Sequence, residues 1–389
     1  MASNNKSEQS SQAAENSFSV EELARYNRHI IIPEFGIEAQ KKLKEARVLI
    51  VGSGGLGSPS LLYLAAAGVG TIGIVDFDTV EDSNLQRQVI FGVDDIGKSK
   101  AESAKKRLQQ LNPYIQIETY TVQLTSGNIL EIISQYDVVV DGTDNFPTRY
   151  LINDASVIAG KPNVYASIFQ FEGQVSVFNY TDKSGETGPN YRDLYPTPPA
   201  PGTVPSCAEG GVLGVLPGII GTLQANEVIK VITGVGEPLS GRLFVFDALS
   251  FNTRTLKISK NPEGPAITSL IDYNQFCGIP SADKEIKEIS VDELFSWIND
   301  NEDIQIIDVR EPNEYEERNI AALLIPLATV KQREQEISKD KKVVIHCRSG
   351  KRSATAIREL EEAFGFSNLY NLKGGILAIS EEQESALSK

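Results

Sequence analysis

Residues 47–67 constrain the fold of this 389-residue chain most tightly. The run Arg47-Val-Leu-Ile-Val51 passes directly into Gly52-Ser-Gly54-Gly55-Leu-Gly57, and helix-forming residues follow to about 67. An unbroken aliphatic run of strand length suits a strand buried on both faces, as in a parallel sheet. A second such run, 71–75, ends at Asp76. Strand, glycine turn, helix and strand make a βαβ unit of the dinucleotide-binding type. Its turn presents backbone N–H groups and a helix dipole to phosphate. Asp76, closing the second strand, is placed to bond ribose hydroxyls.

The same alternation continues. Residues 19–24 open a helix, with Ser19 as N-cap and Glu22 three residues on. Residues 99–111 read as a helix stopped by Asn112-Pro113, 115–121 and 137–140 as strands, and 148–159 as a helix closed by Gly160. Short strands, a Pro-rich loop at 195–205 and a helix near 222–232 follow. Residues 259–285 carry Pro262, Pro265 and Pro280 with little periodicity, which predicts a linker. Beyond it, strands at 304–309 and 342–346 and a helix at 353–364 predict a second α/β unit. The expected organisation is a disordered tail over 1–18, a nucleotide-binding domain over 19–258, the linker, and a smaller α/β domain over 286–389. That length suits two or three domains.

Composition excludes several classes. A net charge of −15 offers no basic field for a nucleic acid. Any ATP site must therefore be a local cluster of Arg and Lys. The longest apolar run, 211–221, is too short to span a membrane and contains Pro217. The polar N-terminus lacks the apolar core of a signal peptide. Cys207, Cys277 and Cys347 form no CxxC pair and no disulfide framework, which fits a reducing, cytoplasmic location with individually used thiols.

A glycine turn alone would also suit a dehydrogenase. The loop Asp82-Ser-Asn84-Leu-Gln86-Arg87-Gln88 moves the balance, because it packs polar and charged groups directly after the second strand. Arg87 and Lys100 can neutralise phosphates, and Asp144 lies at the C-terminal end of a strand, where ligands bind in such sheets. The only histidines, His29 and His346, are not placed for hydride transfer.

Arg25–Ile31, GSGGLG, IVDFDTVEDSNLQRQ, GKSKAE, VVDGTDNFPTRY and PSCAEGGVLGVLPGIIG together resemble the MoeB/ThiF family, relatives of ubiquitin-activating enzymes, over about residues 20–260. The resemblance implies a Rossmann-like doubly wound sheet. It makes Gly52, Gly54, Gly55 and Gly57 the nucleotide loop and gives the ribose to Asp76. It sets Arg28, Arg87 and Lys100 on the triphosphate, with Asn84 supporting the site and Asp144 binding Mg²⁺. In family dimers Arg28 can serve the neighbouring subunit's site, so a homodimer is implied. The implied reaction joins a carboxylate to AMP, and the mixed anhydride then has a good leaving group.

Cys347 follows the strand ending at His346 and opens the loop Cys347-Arg348-Ser349-Gly350-Lys351-Arg352, which enters a helix. Backbone N–H groups, the helix end and Arg348, Lys351 and Arg352 are expected to favour a thiolate or a persulfide anion there. A cysteine phosphatase would need Arg at 353, where Ser353 stands. The shorter loop resembles the active loop of rhodanese domains, as do Asp308-Val-Arg310-Glu-Pro-Asn-Glu-Tyr315 and Asn371-Leu-Lys-Gly-Gly375. A rhodanese fold used only for binding is the blander reading. Asn319-Ile-Ala-Ala and Ile379 depart from the family pattern, outside the thiol loop.

Cys207, in Pro205-Ser-Cys207-Ala-Glu-Gly-Gly211, matches a second active thiol of fused members, or is a retained structural cysteine. Cys277 reads as a small buried residue. Many relatives bind structural zinc through two CxxC pairs. The matching positions here are Asn190, Asp193, Gly264 and Ile267, so no structural zinc is expected.

The resemblance thus implies an ATP- and Mg²⁺-dependent adenylyltransferase and sulfurtransferase. It would act on the C-terminal Gly-Gly of a ubiquitin-like sulfur-carrier protein, with molybdopterin synthesis as the leaning. Sulfur would come from a cysteine desulfurase or another donor. The competing readings are an activating enzyme that forms a carrier thioester on Cys207, with the second domain docking partners, and a nonenzymatic nucleotide-binding scaffold.

Overall fold

The computed structural model describes residues 17–199, 210–278 and 286–380. The chain divides into two compact units, Met1–Ile279 and Pro280–Lys389. The first holds an eight-stranded sheet ordered β3-β2-β1-β4-β5-β6-β7-β8. Its parallel part is β1 (Arg47–Val51), β2 (Thr71–Val75), β3 (Gln116–Tyr120), β4 (Val138–Asp141) and β5 (Asn163–Phe169). Three antiparallel strands extend it: β6 (Glu172–Phe178), β7 (Arg242–Asp247) and β8 (Asn252–Lys257).

β1 shows how the sequence builds the core. Alternate side chains of a strand face opposite sides. Val48 and Ile50 therefore join one cluster with Leu61, Leu64, Ala104 and Val228, while Leu49 and Val51 join another with Ile132, Tyr150 and Ile152. Among the described residues the α-helices of this unit are α1 (Val20–Ile30), α2 (Gly36–Glu45), α3 (Gly57–Ala67), α4 (Lys100–Leu111), α5 (Ile129–Ser134), α6 (Phe146–Ile158), α7 (Tyr191–Leu194), α8 (Leu216–Thr233) and α9 (Tyr273–Phe276). The start of α1 carries the predicted chemistry, a reciprocal capping box of Ser19 and Glu22, and Ser99 and Asn145 cap α4 and α6.

The second unit has a parallel sheet ordered β11-β10-β12-β13-β9. Its strands are β9 (Glu288–Ile289), β10 (Ile304–Asp308), β11 (Leu323–Leu324), β12 (Lys342–His346) and β13 (Leu369–Leu372). α10 (Val291–Asn299), α11 (Pro312–Glu317) and α12 (Lys351–Phe364) complete it. Separate apolar clusters built on Ile307, Val343 and Ile345, and on Val344 and Leu372, cover its two faces.

Three boundaries differ from the sequence reading. Phe18, assigned to the tail, is buried against Tyr26 with Lys44 over its ring. Residues 270–277, assigned to the linker, belong to the first unit: Leu270, Tyr273, Phe276 and Cys277 pack in the cluster around α6. α8 begins at Leu216, well before 222, because Pro217 suits a first helical turn and its glycines have packing reasons. Gly221 is one: a Cβ there would sit 2.3 Å from the Leu56 carbonyl oxygen.

Candidate functional site

The chain order reverses between β1 and β4, so the loops leaving these two strands lie side by side at their C-terminal ends. Ligands of open α/β sheets bind in that crevice. A Cβ on Gly142, in the loop after β4, would be 3.0 Å from the Gly52 carbonyl oxygen, and one on Gly57 only 1.9 Å from it. Gly52 itself has φ of 89°, a conformation that glycine adopts freely. The glycines therefore serve a close backbone fold that brings the start of α3 to the crevice.

Asp76 lies beneath this turn. Its Oδ2 accepts from Ser53 N (2.8 Å) and Ser53 Oγ (2.7 Å), and its Oδ1 accepts from Asp78 N (3.0 Å). The carboxylate read from sequence as a ribose ligand thus also braces the glycine loop, through a serine the motif leaves unspecified. Asn84 is buried, and its Oδ1 accepts from Glu81 N at 3.2 Å. Its carbonyl accepts from Arg87 N and Gln88 N. It holds the turn that presents Arg87.

Arg87 donates to the Ser83 carbonyl (3.1 Å), its stem lies beside Gly55, and it has no carboxylate partner among the described residues. Lys100 is buried and pairs with the half-exposed Asp78 at 3.1 Å. Its ammonium carries three donors, so it can take a phosphate oxygen while keeping Asp78. Gly54 faces Gln88. Arg28 is exposed on α1 and makes no ion pair among the described residues. The structure therefore groups the glycines, Asp76, Asn84, Arg87 and Lys100 around the end of β1 and its adjoining loops, and leaves Arg28 facing solvent.

Asp144 is exposed on the neighbouring loop and accepts no hydrogen bond among the described residues. Its position is set by groups that sequence reading missed. Asp141 is fully buried and accepts from Thr143 N (3.0 Å) and Oγ1 (2.6 Å). Burial pushes the Asp141 carboxyl up, and Arg149, 3.9 Å away, pulls the other way. Arg149 also donates to the Thr143 carbonyl, and Gln224 donates to the carbonyls of Asp141 and Val164. Exposed Asp144 thus stands on a fixed turn.

Cys207 lies outside the described residues. Cys277 is buried in the first unit, and burial pushes its thiol up to about 11, which suits an inert packing residue. Asn190 and Asp193 carry hydrogen bonds: Asp193 Oδ2 accepts from Asn190 N (2.7 Å), and its Oδ1 from Asn261 N (2.8 Å).

In the second unit Cys347 follows β12 and is 1% exposed. Its Sγ accepts from Gly350 N at 3.2 Å and lies 3.5 Å from Ser353 Oγ. Burial alone would raise the thiol. The Ser353 hydroxyl and the N–H groups of Ser353, Ser349 and Gly350 outweigh it and hold the thiol below the ordinary cysteine range. Arg352 turns its guanidinium to Glu314 in a bidentate pair (2.6 and 2.7 Å) and acts on Cys347 through its charge, while the sulfur's direct donors are backbone and Ser353. Gly374 and Gly375 have positive φ, and a Cβ on Gly375 would lie 2.4 Å from the Cys347 carbonyl. Asp308 and Arg310 form a buried pair whose guanidinium also donates to the carbonyls of Glu314 and Arg318. It fixes the turn that carries Glu314.

A nucleotide crevice on one unit and a thiol cradle on the other define the class: a Rossmann-like nucleotide-binding fold joined to a thiol-presenting α/β domain. The chain belongs to the ThiF family, whose model matches residues 26–266, and it carries a rhodanese-like domain matched over residues 290–382. It is 50% identical over 371 residues to the "Probable adenylyltransferase/sulfurtransferase MoeZ" of Mycobacterium tuberculosis, covering 94% of each chain. It is 54% identical to the "Sulfur carrier protein adenylyltransferase" of Thermus thermophilus over 67% of this chain and 98% of that one. A crystal structure of E. coli MccB with ATP is similar with a TM-score of 0.50 at 26% identity, covering 59% of this chain and 68% of that chain.

Proposed function

We propose that this chain adenylates the C-terminal glycine of a ubiquitin-like sulfur carrier and then sulfurates it. The observation that carries the reading is the coexistence, in one chain, of a glycine-turn nucleotide crevice and a thiol whose sulfur collects hydrogen-bond donors. A carboxylate resists nucleophiles. Its oxygen attacks the α-phosphorus of ATP, the bond to pyrophosphate breaks, and an acyl-adenylate results. Arg87 and Lys100 stabilise the charge gathering on the phosphates, and Asp76 orients the ribose. Asp144 would hold Mg²⁺, which supplies further charge neutralisation when bound. The carboxylate of Asp144, exposed and without a hydrogen-bond partner among the described residues, fits that role.

A persulfide on Cys347 is the second nucleophile. Its terminal sulfur attacks the acyl carbon, the bond to AMP breaks, and an acyl disulfide forms. A thiol, from Cys207 or an external reductant, then attacks the Cys347 sulfur and releases the carrier thiocarboxylate. The disulfide left on Cys347 is reduced by thiol–disulfide exchange with further cellular thiol, which leaves as its own disulfide and returns the cysteine as a thiol. A cysteine desulfurase or thiosulfate supplies the sulfane sulfur, molybdopterin synthesis is the pathway we favour, and the setting is the cytoplasm. The active form is a homodimer in which Arg28 reaches the partner's triphosphate. Structural zinc has no place in the scheme, because positions 190, 193, 264 and 267 supply no thiolate and Asp193 is committed to hydrogen bonds.

ATP–pyrophosphate exchange with a panel of Gly-Gly carriers tests the first half. Exchange that depends on one carrier and is lost in Asp144→Ala supports it. Absence of exchange with every carrier would leave only the rhodanese-like chemistry.

A further inference from the structure

The hydroxyl of Ser353 has one proton and three acceptors within reach. They are Asn371 Oδ1 at 2.7 Å, the Gly350 carbonyl at 3.1 Å and Cys347 Sγ at 3.5 Å. All three side chains of the Cys347–Ser353–Asn371 array are at most 3% exposed, so water does not compete for that proton. Asn371 is held in turn by Glu288, whose Oε1 accepts from Asn371 Nδ2 at 3.1 Å. A carboxylate can only accept, so it fixes the amide with its NH₂ outward and its oxygen toward Ser353. The pairing of β13 with β9, which sets Asn371 opposite Glu288, keeps the two together.

We propose that Asn371, oriented by Glu288, is a positioning residue that withholds the Ser353 proton from Cys347 and so sets how readily the sulfur ionises. With a neutral thiol, the Cys347 S–H donates to Ser353 Oγ, and Ser353 donates to Asn371. With a thiolate or persulfide anion, the Ser353 hydroxyl rotates onto sulfur and Asn371 loses its donor. No proton passes along the chain; one O–H changes acceptor. The inference rests on reading Cys347 as the sulfur-carrying thiol, but it concerns ionisation, which is measured apart from sulfur transfer. Glu288 is exposed and lines a cleft of about 520 Å³ with Ser349, Gly350, Lys351 and Lys373, so the outer end of the array can be reached from solvent.

Other charged groups surround the thiol. Its own loop carries Arg348, Lys351 and Arg352, and α11 supplies Glu314, paired with Arg352. The end of β10 supplies Asp308, with Arg310, and His346 precedes the thiol. Lys373 follows β13. All are retained in the variants below and act alike on each.

The test is the pH profile of Cys347 alkylation by iodoacetamide in the full chain, read at peptide level to exclude Cys207 and Cys277. Asn371→Ala frees the Ser353 proton, so the midpoint moves to lower pH and the rate at neutral pH rises roughly two- to tenfold, the worth of one hydrogen bond. Glu288→Gln lets the amide turn and also removes a carboxylate charge, both of which lower the midpoint; in a Ser353→Ala background only the charge part remains, so the difference reads the amide, and as a change of one exposed side chain the variant also controls for misfolding. Asn371→Asp moves the midpoint up. In a Ser353→Ala background, Asn371→Ala has no effect. A midpoint unmoved or raised in Asn371→Ala overturns the proposal, and so does a Glu288→Gln shift of equal size with and without Ser353. So does an Asn371→Ala shift of equal size with and without Ser353.

Discussion

Arg192 joins three parts of the first unit, and its removal should be among the costliest single changes in the chain. Its Nε and Nη2 meet Asp154 Oδ1 and Oδ2 at 2.8 and 2.7 Å. Its guanidinium lies 4.5 Å from the Phe276 ring centre and 5.0 Å from that of Tyr150. Asp154 also accepts from Tyr273 Oη at 2.9 Å. α6, α7 and α9 are thereby tied together. The side chains are 14% and 3% exposed, and that decides which magnitude applies. An exposed pair contributes about 0–1 kcal/mol. Truncating one partner of a buried pair strands the other charge and costs about 3–5 kcal/mol. Arg192→Ala should therefore lower the urea midpoint of the first unit by roughly 1–2 M, given slopes of a few kcal/mol per molar for a unit of this size. Far-UV circular dichroism follows the whole chain. The only tryptophan, Trp297, belongs to the second unit, so its fluorescence separates the two. The dichroism transition should move and the Trp297 transition should stay. Arg192→Met with Asp154→Leu should recover most of the loss, since a well-packed apolar pair replaces a buried ion pair at little cost. A loss under about 1 kcal/mol for Arg192→Ala would refute the reasoning.

Other outcomes follow from the same geometry. Gly57→Ala must displace the Gly52 carbonyl, 1.9 Å from its new Cβ, and should abolish pyrophosphate exchange while costing about 1–3 kcal/mol or more. Gly218→Ala, inside α8 with nothing within 4 Å, should stabilise by up to about 1 kcal/mol in the same melt and leave exchange intact. The Arg352 guanidinium holds Glu314 down at about 2, against 4.5 ordinarily. A depressed carboxyl stabilises fully above its unfolded value, and that contribution fades as pH falls from about 4.5 through about 2. Both partners are part-exposed, so the pair contributes only about 1 kcal/mol, and Arg352→Gln should remove that slice of the pH dependence of the Trp297 transition. Dialysis against a chelator should leave the first unit's melt unchanged; one retained equivalent of zinc by mass spectrometry would contradict the hydrogen-bonded account of Asn190 and Asp193.

What could be read from sequence was local. β1, β2, β4, β10 and β12 stand out because strands buried on both faces need unbroken aliphatic runs, and Ser19, Asn112 and Gly160 mark helix ends. The antiparallel edge was less legible. β8, Asn252–Lys257, is exposed throughout and shows no apolar face. Residues 270–277 looked like linker because short aromatic anchors carry no period, yet Tyr273 and Phe276 are pinned to α6 by contacts far apart in sequence. At the sites the sequence offered acids and cations as candidates, but it did not offer the groups that hold them in place. Ser53 under Asp76, Arg149 under Thr143 and Asn371 behind Ser353 act across strands, and spacing along one chain does not reveal them. In the sequence Ser353 is only a mismatch to a phosphatase loop; in the structure its hydroxyl lies within hydrogen-bonding distance of the Cys347 sulfur.

The most direct test of the two-step account is the mass of a Gly-Gly carrier after incubation with enzyme, ATP, Mg²⁺ and a persulfide donor. The account predicts replacement of one carrier oxygen by sulfur, with no product when ATP is omitted. In Cys347→Ala it predicts retained pyrophosphate exchange and no thiocarboxylate. Full thiocarboxylate formation by Cys347→Ala under the same donor would contradict it, and would separate sulfur transfer from the second unit of this chain.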